Sequence, residues 1–267
     1  MSGRVIVITS GKGGVGKTTA VANIGTALAS MGKKVALVDA DIGLRNLDVI
    51  LGLENRIVYD IVDVVEGRAR LRQALIKDKR FSTLSLLPAA QTREKDAVSP
   101  EDMVRLCEEL RNQLDFVLID SPAGIEQGFK NAVIPADMAL IVTTPEVSAV
   151  RDADRVIGLL ESMEKGNSKL IINRIRTKLV DRGDMLGVED VLEILSIELI
   201  GIIPEDENII VSTNKGEPVV NNGNAPAGKG FWDIAKRLLG EEIPINLHTE
   251  KEGIFSKLLR FIEGKRE

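Results

Sequence analysis

Cysteine is nearly absent: Cys107 stands alone in 267 residues. One thiol excludes a disulfide framework and any thiolate-built zinc or iron–sulfur site within a single chain. Such sparing use suits a reducing, cytoplasmic setting. Aromatics are scarce, at 3% of residues, and the single tryptophan and tyrosine, Trp232 and Tyr59, read as packing residues. No apolar run approaches the ~20 residues that a membrane span needs. The N-terminal stretch lacks the pattern of a signal peptide, because a strand pattern starts at Arg4 and polar, glycine-rich sequence follows it. Positive charge is outweighed, with a formal net charge of −5. An acidic chain is a poor general binder of nucleic acid.

What is present is an ordinary globular core, with 44% hydrophobic and 28% charged residues, which excludes a disordered chain. Short apolar runs alternate with helical patterns. Strands are expected from Val5–Ile8 and over 34–39, 82–88, 115–120, 138–144, 169–173 and 198–203. These runs are apolar at both parities, as in strands buried on both faces of a parallel sheet. Helices are expected over 17–31, 100–113, 188–195 and 231–239. In the second, Ser99 with Asp102 approaches a capping box, and Met103, Leu106, Cys107 and Leu110 share one face, which makes Cys107 a core residue rather than a nucleophile. Strand–helix alternation predicts one doubly wound α/β domain with a mostly parallel sheet and helices on both faces. The domain is expected over 1–240, followed by a polar linker, 241–252, in which His248 is a solvated side chain, and a separate segment, 253–267.

Residues 9–19 read TSGKGGVGKTT. Gly11, Lys12, Gly13, Gly14, Val15, Gly16, Lys17 and Thr18 match the phosphate-loop pattern G-x-x-x-x-G-K-[ST], between a predicted strand and a predicted helix that includes Thr19. Glycines let backbone N–H groups turn inward around phosphate oxygens, and the helix aims its positive end at them. Lys17 neutralises the β/γ charge, and the Thr18 hydroxyl can ligate Mg²⁺. Lys12 is a second lysine that an ordinary phosphate loop does not need.

The run KGGVGKTT, with that extra lysine, resembles the deviant Walker A motif of the ParA/MinD ATPase family. The resemblance implies a P-loop ATPase that forms a sandwich dimer around ATP, with Lys12 acting on the phosphates of the partner subunit.

Two further strand ends carry acids. Asp39 and Asp41 follow the second strand, in DADIGLRNLD. Ligands of doubly wound sheets bind at such carboxyl ends. Asp39 reads as a loop carboxylate making turn hydrogen bonds. Asp41 is placed either to orient the attacking water or to reach the Mg²⁺ shell, and the resemblance implies the first. The run Phe116–Ile119 followed by Asp120, in DSPAG, has the form of a Walker B carboxylate that holds Mg²⁺, and Gly124 is placed to give an N–H to the γ-phosphate. No glutamate follows Asp120, so slow basal turnover that a partner stimulates is expected. Thr213–Glu217 superficially matches a guanine motif but has Glu in place of Asp and no strand before it. The resemblance instead implies adenine recognition by Asn173 and the segment Pro204-Glu205-Asp206, with Pro204 and Asp206 as contacts.

The segment 253–267 reads GIFSKLLRFIEGKRE. At 100° per residue, Ile254, Phe255, Leu258, Leu259, Phe261 and Ile262 fall within an arc of about 160°, with Lys257 and Arg260 on the other side. Ile254–Arg266 carries a net charge of +3. A short helix of this kind suits an anionic membrane surface, and two copies on a dimer add through effective concentration. The alternative is a C-terminal helix packed on its own core. Within the family, such a tail separates membrane-cycling regulators of the division site from DNA-segregating members. Matches at TTPEVSAVRDADR, RGDMLGVEDVLEIL and GIIPED extend the resemblance over nearly the whole chain. They imply a homodimer on the inner face of the cell membrane, recruitment of a MinC-type division inhibitor and release by a MinE-type partner. Asp152 and Asp154 are candidate partner contacts or simply an exposed helix face. The competing readings are a DNA-segregating ATPase and a flagellar-number regulator of the same family; a nitrogenase iron-protein type is excluded by the single cysteine.

Overall fold

The computed structural model describes residues 2–93 and 97–245. In chain order the elements are β1 (Arg4–Thr9), α1 (Lys17–Ser30), β2 (Val35–Asp39), α2 (Leu47–Leu51), α3 (Ile61–Val65), α4 (Leu71–Ala74), β3 (Ile76–Lys77), β4 (Leu84–Leu87), α5 (Pro100–Arg111), β5 (Phe116–Asp120), α6 (Gln127–Val133), β6 (Met138–Thr143), α7 (Val147–Ser162), β7 (Ser168–Ile175), α8 (Thr177–Asp181), α9 (Val188–Leu195), β8 (Glu198–Pro204), α10 (Asn208–Asn214) and α11 (Pro226–Leu238). The strands form one sheet in the order β3-β4-β2-β5-β1-β6-β7-β8. Every pairing is parallel except β3 with β4, so the doubly wound, mostly parallel expectation holds.

Alternating residues of the same strands feed two cores, one on each face. Val5, Val7, Val38, Ile119 and Ile141 pack with α5, α6 and α7. Ile6, Ile8, Leu37, Leu118 and Leu140 pack with α1, α2 and α11. This is why the strand runs are apolar at both parities. The helix α1 is buried along most of its circumference, with alanines at 20, 22, 27 and 29, because it lies between the sheet and α11. The face Met103, Leu106, Cys107, Leu110 is buried as its spacing requires, and burial pushes the Cys107 thiol up to about 12.

Several elements depart from the sequence expectation. The strand β3 and the helices α2, α3 and α4 are two to five residues long, too short to show a period. The helix α11 begins at Pro226 rather than 231. A distant residue, Asp206, helps hold this start, its carboxylate accepting from Ala227 N–H at 3.0 Å; the local signal of the start is Pro226 at the first helical position. The segment 241–245 does not leave the domain: Arg237 donates to the carbonyls of Ile243 at 3.0 Å and Pro244 at 3.1 Å, and to Ile200 on the edge strand β8 at 2.8 Å. His248 and the amphipathic segment 253–267 lie outside the described residues. Among the described residues, no helix is long and apolar enough to cross a membrane.

Phe231 is fully buried between α11, α1 and the sheet. Replacing it with alanine is expected to cost about 3–5 kcal/mol. Urea unfolding followed by circular dichroism checks this: the midpoint falls while the slope stays constant.

Candidate functional site

The carboxyl ends of β1, β2 and β5, at the centre of the sheet, bring the phosphate loop and both acidic segments together. Gly16 needs to be glycine twice over: its φ is 96°, and a Cβ there would sit 2.2 Å from Asn173 Nδ2. Lys17 opens α1, and its ammonium turns inward to Asp120, Nζ–Oδ1 2.7 Å, with side-chain exposures of 8% and 1%. Lys12 behaves differently. Its side chain is 46% exposed, and it meets Glu146 at 4.0 Å and Ser148 Oγ at 3.3 Å, both at the start of α7. The two lysines of one loop thus face separate environments, one buried and one at the rim. Thr18 and Thr19 are half-buried on the first turn of α1, Gly13 and Gly14 are exposed, and Val15 is buried.

Asp39 and Asp120 are register partners on the adjacent strands β2 and β5. Both are buried. Asp39 makes the turn bonds expected of it, accepting from Asp41 N–H at 3.0 Å and Leu47 N–H at 3.3 Å. Burial first, and then the charge of Asp120, raise its carboxyl to about 8 despite those donors. The sequence reading missed this pairing, since β2 and β5 are far apart in the chain. Lys17 pairs with one carboxylate, and burial favours the protonated form of the other. Asp41, half-exposed, lies just beyond on the same loop. Gly124, φ 89°, gives its N–H to the Ser10 carbonyl at 3.2 Å, a bond it must exchange to meet a phosphate.

The other side of the crevice carries the remaining expected residues. Asn173 is buried, donates to the Val15 carbonyl at 2.7 Å and accepts from Arg174 N–H at 3.0 Å. It is turned toward the phosphate loop where the β7–β8 register shifts and Arg174 adopts φ 58°. One amide hydrogen and part of the carbonyl capacity remain for a ligand. Pro204 ends β8, half-buried. Asp206 accepts from Asn208 N–H, Asn208 Nδ2 and Ala227 N–H. Burial raises its carboxyl, but these donors prevail and hold it below the usual range. Its described role is therefore to tie α10 to α11. Asp152 on α7 pairs loosely with Arg155 at 3.7 Å, and Asp154 is exposed. Among the described residues no group of three or more acidic, histidine or cysteine side chains gathers in the manner of an all-protein metal cage. One hydroxyl, Thr18, and one carboxylate, Asp120, instead fit the donor set of a cation shared with phosphates.

A glycine-rich strand-to-helix loop at the switch point of a parallel sheet, with an inward lysine and a strand-end aspartate, defines a P-loop nucleotide-binding protein. The family model described as the CobQ/CobB/MinD/ParA nucleotide binding domain matches residues 6–219. The septum site-determining protein MinD of Bacillus subtilis is 55% identical, over 97% of this chain and 98% of its own length. The MinD chain of the MinC:MinD cell division protein complex of Aquifex aeolicus superposes with a TM-score of 0.86 at 60% identity, covering 91% of this chain and 98% of that one. The septum site-determining protein MinD of Pyrococcus horikoshii, complexed with Mg-ADP, gives a TM-score of 0.80 at 30% identity, over 90% and 99%. The chain belongs to the MinD family of septum-site-determining ATPases.

The raised Asp39 carboxyl makes stability depend on pH. The folded state keeps a proton that the unfolded chain loses near pH 4, so between about 4 and 8 folding binds a proton and stability falls as pH rises. Above about 8 this contribution is constant. For the nucleotide-free protein in chelator, Asp39→Asn is expected to remove that slope, so that its urea midpoint gains on the parent steadily from pH 5 to 8. Parallel curves for the two proteins would contradict the assignment.

Proposed function

We propose that this ATPase uses ATP with Mg²⁺ to join two chains, and that the joined chains attach to the inner membrane surface and recruit a MinC-type division inhibitor. The observation that carries the reading is the division of labour between the two loop lysines. Lys17 is buried against its own Asp120, whereas Lys12 is half exposed and held only at the rim by Ser148 and Glu146. A cation at that rim is accessible to a phosphate bound in a second chain. The relative solved as a MinC:MinD complex supports the partner, and the one complexed with Mg-ADP supports the nucleotide and its metal.

When nucleotide binds, Lys17 exchanges Asp120 for the β/γ-phosphates. The Thr18 hydroxyl and the freed Asp120 carboxylate, the latter through water, suit Mg²⁺, which supplies charge neutralisation at the phosphates. Backbone N–H groups of residues 13–18 cradle the phosphate oxygens, and Gly124 adds one more. Asp41 holds the water in line with the γ-phosphate, and Lys12 of the second chain stabilises the charge that develops there. Asn173 and Pro204 meet the adenine. With Asp120 followed by Ser121 rather than a glutamate, turnover is slow until a MinE-type or other topological partner stimulates it. Segment 253–267 is the membrane contact, one copy per chain, reached through residues 246–252. Attachment follows dimerisation because two weak amphipathic segments bind together far more tightly than one.

Two measurements test this. Co-sedimentation with anionic liposomes is expected only in ATP, not in ADP or without nucleotide, and deletion of residues 253–267 abolishes it. ATP-dependent pelleting with duplex DNA, and none with liposomes, would instead make the chain a DNA-partitioning ATPase. Lys12→Ala is expected to bind ATP within about threefold of the parent, since one exposed charge contributes little to binding within its own chain. The same variant stays monomeric by light scattering where the parent dimerises.

A further inference from the structure

The two halves of the crevice each continue into a short helix, and these helices meet on the far side. On the switch side, Asp39 accepts from Asp41 N–H and from the N–H of Leu47, the first residue of α2. Five residues later α2 ends at Gly52, φ 66°. On the base side, Pro204-Glu205-Asp206 leads into α10, whose start is held by Asp206. This helix ends just before Gly216, φ 64°. Gly52 and Gly216 touch backbone to backbone. A Cβ on Gly52 would lie 2.8 Å from the Gly216 carbonyl oxygen, and one on Gly216 would lie 2.7 Å from Gly52 Cα.

One guanidinium closes this contact. Arg80 donates from one nitrogen to the Leu51 carbonyl at 3.0 Å and from the other to the Gly216 carbonyl at 3.2 Å. Asp78 fixes it from behind, at 2.9 Å to NH2 and 3.3 Å to Nε, and accepts from the N–H groups of Arg80 and Phe81 as well. The Asp78 side chain is 1% exposed, so the arginine is anchored in a rigid base rather than in solvent. Two planar donors at fixed separation hold two carbonyls at fixed separation, which a lysine does not do. Each carbonyl lies at the exit of a short, stiff rod, about 7 Å long for α2 and about 10 Å for α10 at 1.5 Å per residue.

We propose that Arg80, with the Gly52–Gly216 contact it closes, is a positioning device through which a base held at Pro204–Asp206 sets the Asp41 loop for hydrolysis. The inference rests on the reading that this segment meets the adenine. Bound adenine presses on the start of α10, the joint transmits the position to α2, and α2 fixes Asp41 through its hydrogen-bonded neighbour Asp39. Arg80 acts only through these contacts and is a positioning residue, not a catalytic one.

The test compares ATP with ribose 5-triphosphate, which lacks only the base, using the full chain at a concentration where turnover per chain no longer rises. The parent is expected to show a kcat for ATP at least about fivefold above that for ribose 5-triphosphate, the lower end of site-to-site coupling. Arg80→Gln and Gly216→Ala are each expected to bring that ratio to within about twofold of one. They do so by lowering kcat for ATP alone, with kcat for ribose 5-triphosphate and the KM preference for ATP retained. Gly216→Ala opens the joint without altering charge and serves if Arg80→Gln does not fold. A kcat ratio that survives in a folded variant, or both substrates slowed equally, overturns the proposal and leaves Arg80 a structural staple. A parent kcat ratio near one with KM favouring ATP also overturns it while sparing the base reading. A parent KM that does not favour ATP removes the base reading itself.

Discussion

The contact between Lys17 and Asp120 governs the rest of the site. Three ionisable groups, Lys17, Asp39 and Asp120, are buried at the carboxyl ends of adjacent strands, where isolated charges cost several kcal/mol each. The arrangement is tolerable because it sums to zero: the ammonium faces one carboxylate, and the second carboxyl keeps its proton. Taking one partner from such a pair and leaving the other bare is strongly unfavourable. On the function proposed above, a nucleotide that draws Lys17 away must therefore bring a cation for Asp120. On that reading, the electrostatics that hold Lys17 and Asp120 together also make metal and nucleotide bind as a unit.

That contact is assembled by topology rather than by local sequence. β1 supplies the loop, and its neighbours in the sheet are β5 and β6, far along the chain. The helix carrying Lys17 lies close against the sheet at Gly25, where a Cβ would come within 2.4 Å of the Leu37 side chain, and α11 packs on it as well. The edge of the sheet is closed in turn by Arg237, which takes up a carbonyl of β8 and two of the following segment. The arginine thereby keeps residues 241–245 on the domain.

What the sequence made legible follows the range of the interactions involved. The phosphate loop, the alternation of elements and the capping box at Ser99 depend on residues within a few positions of one another, and all were readable. Among the described residues, the apolar runs account for seven of the eight strands because burial on both faces leaves a continuous signature; β3, with two residues, leaves none. The long helix α7 shows its period in Val150, Ala153, Ile157 and Leu160, which form its buried face. The pairing of Asp39 with Asp120, the contact of Lys12 with Ser148, the lock of Asn173 on Val15 and the hold of Asp206 on α11 all join distant segments. Only the register of non-consecutive strands decides them, and a single sequence does not display that register.

The two sides of the crevice differ in how tightly they are held. On the base side, Asn173 is buried with both its amide groups engaged, and Asp206 takes three donors from two helices. On the other side, Gly43 and Gly124 stand at positive φ, Arg45 stands at φ 29°, and Leu44 is 65% exposed. Local opening is cheapest where few buried contacts oppose it. The tip at Gly43–Leu44 and the turn at Gly124 are therefore the parts that rearrange at low cost, while the base side is stiff and passes a displacement on rather than absorbing it. A stiff side acts on a moving part only when the two are connected. Arg80, bound to a buried aspartate and to the exits of both α2 and α10, supplies a connection that does not pass through the phosphates.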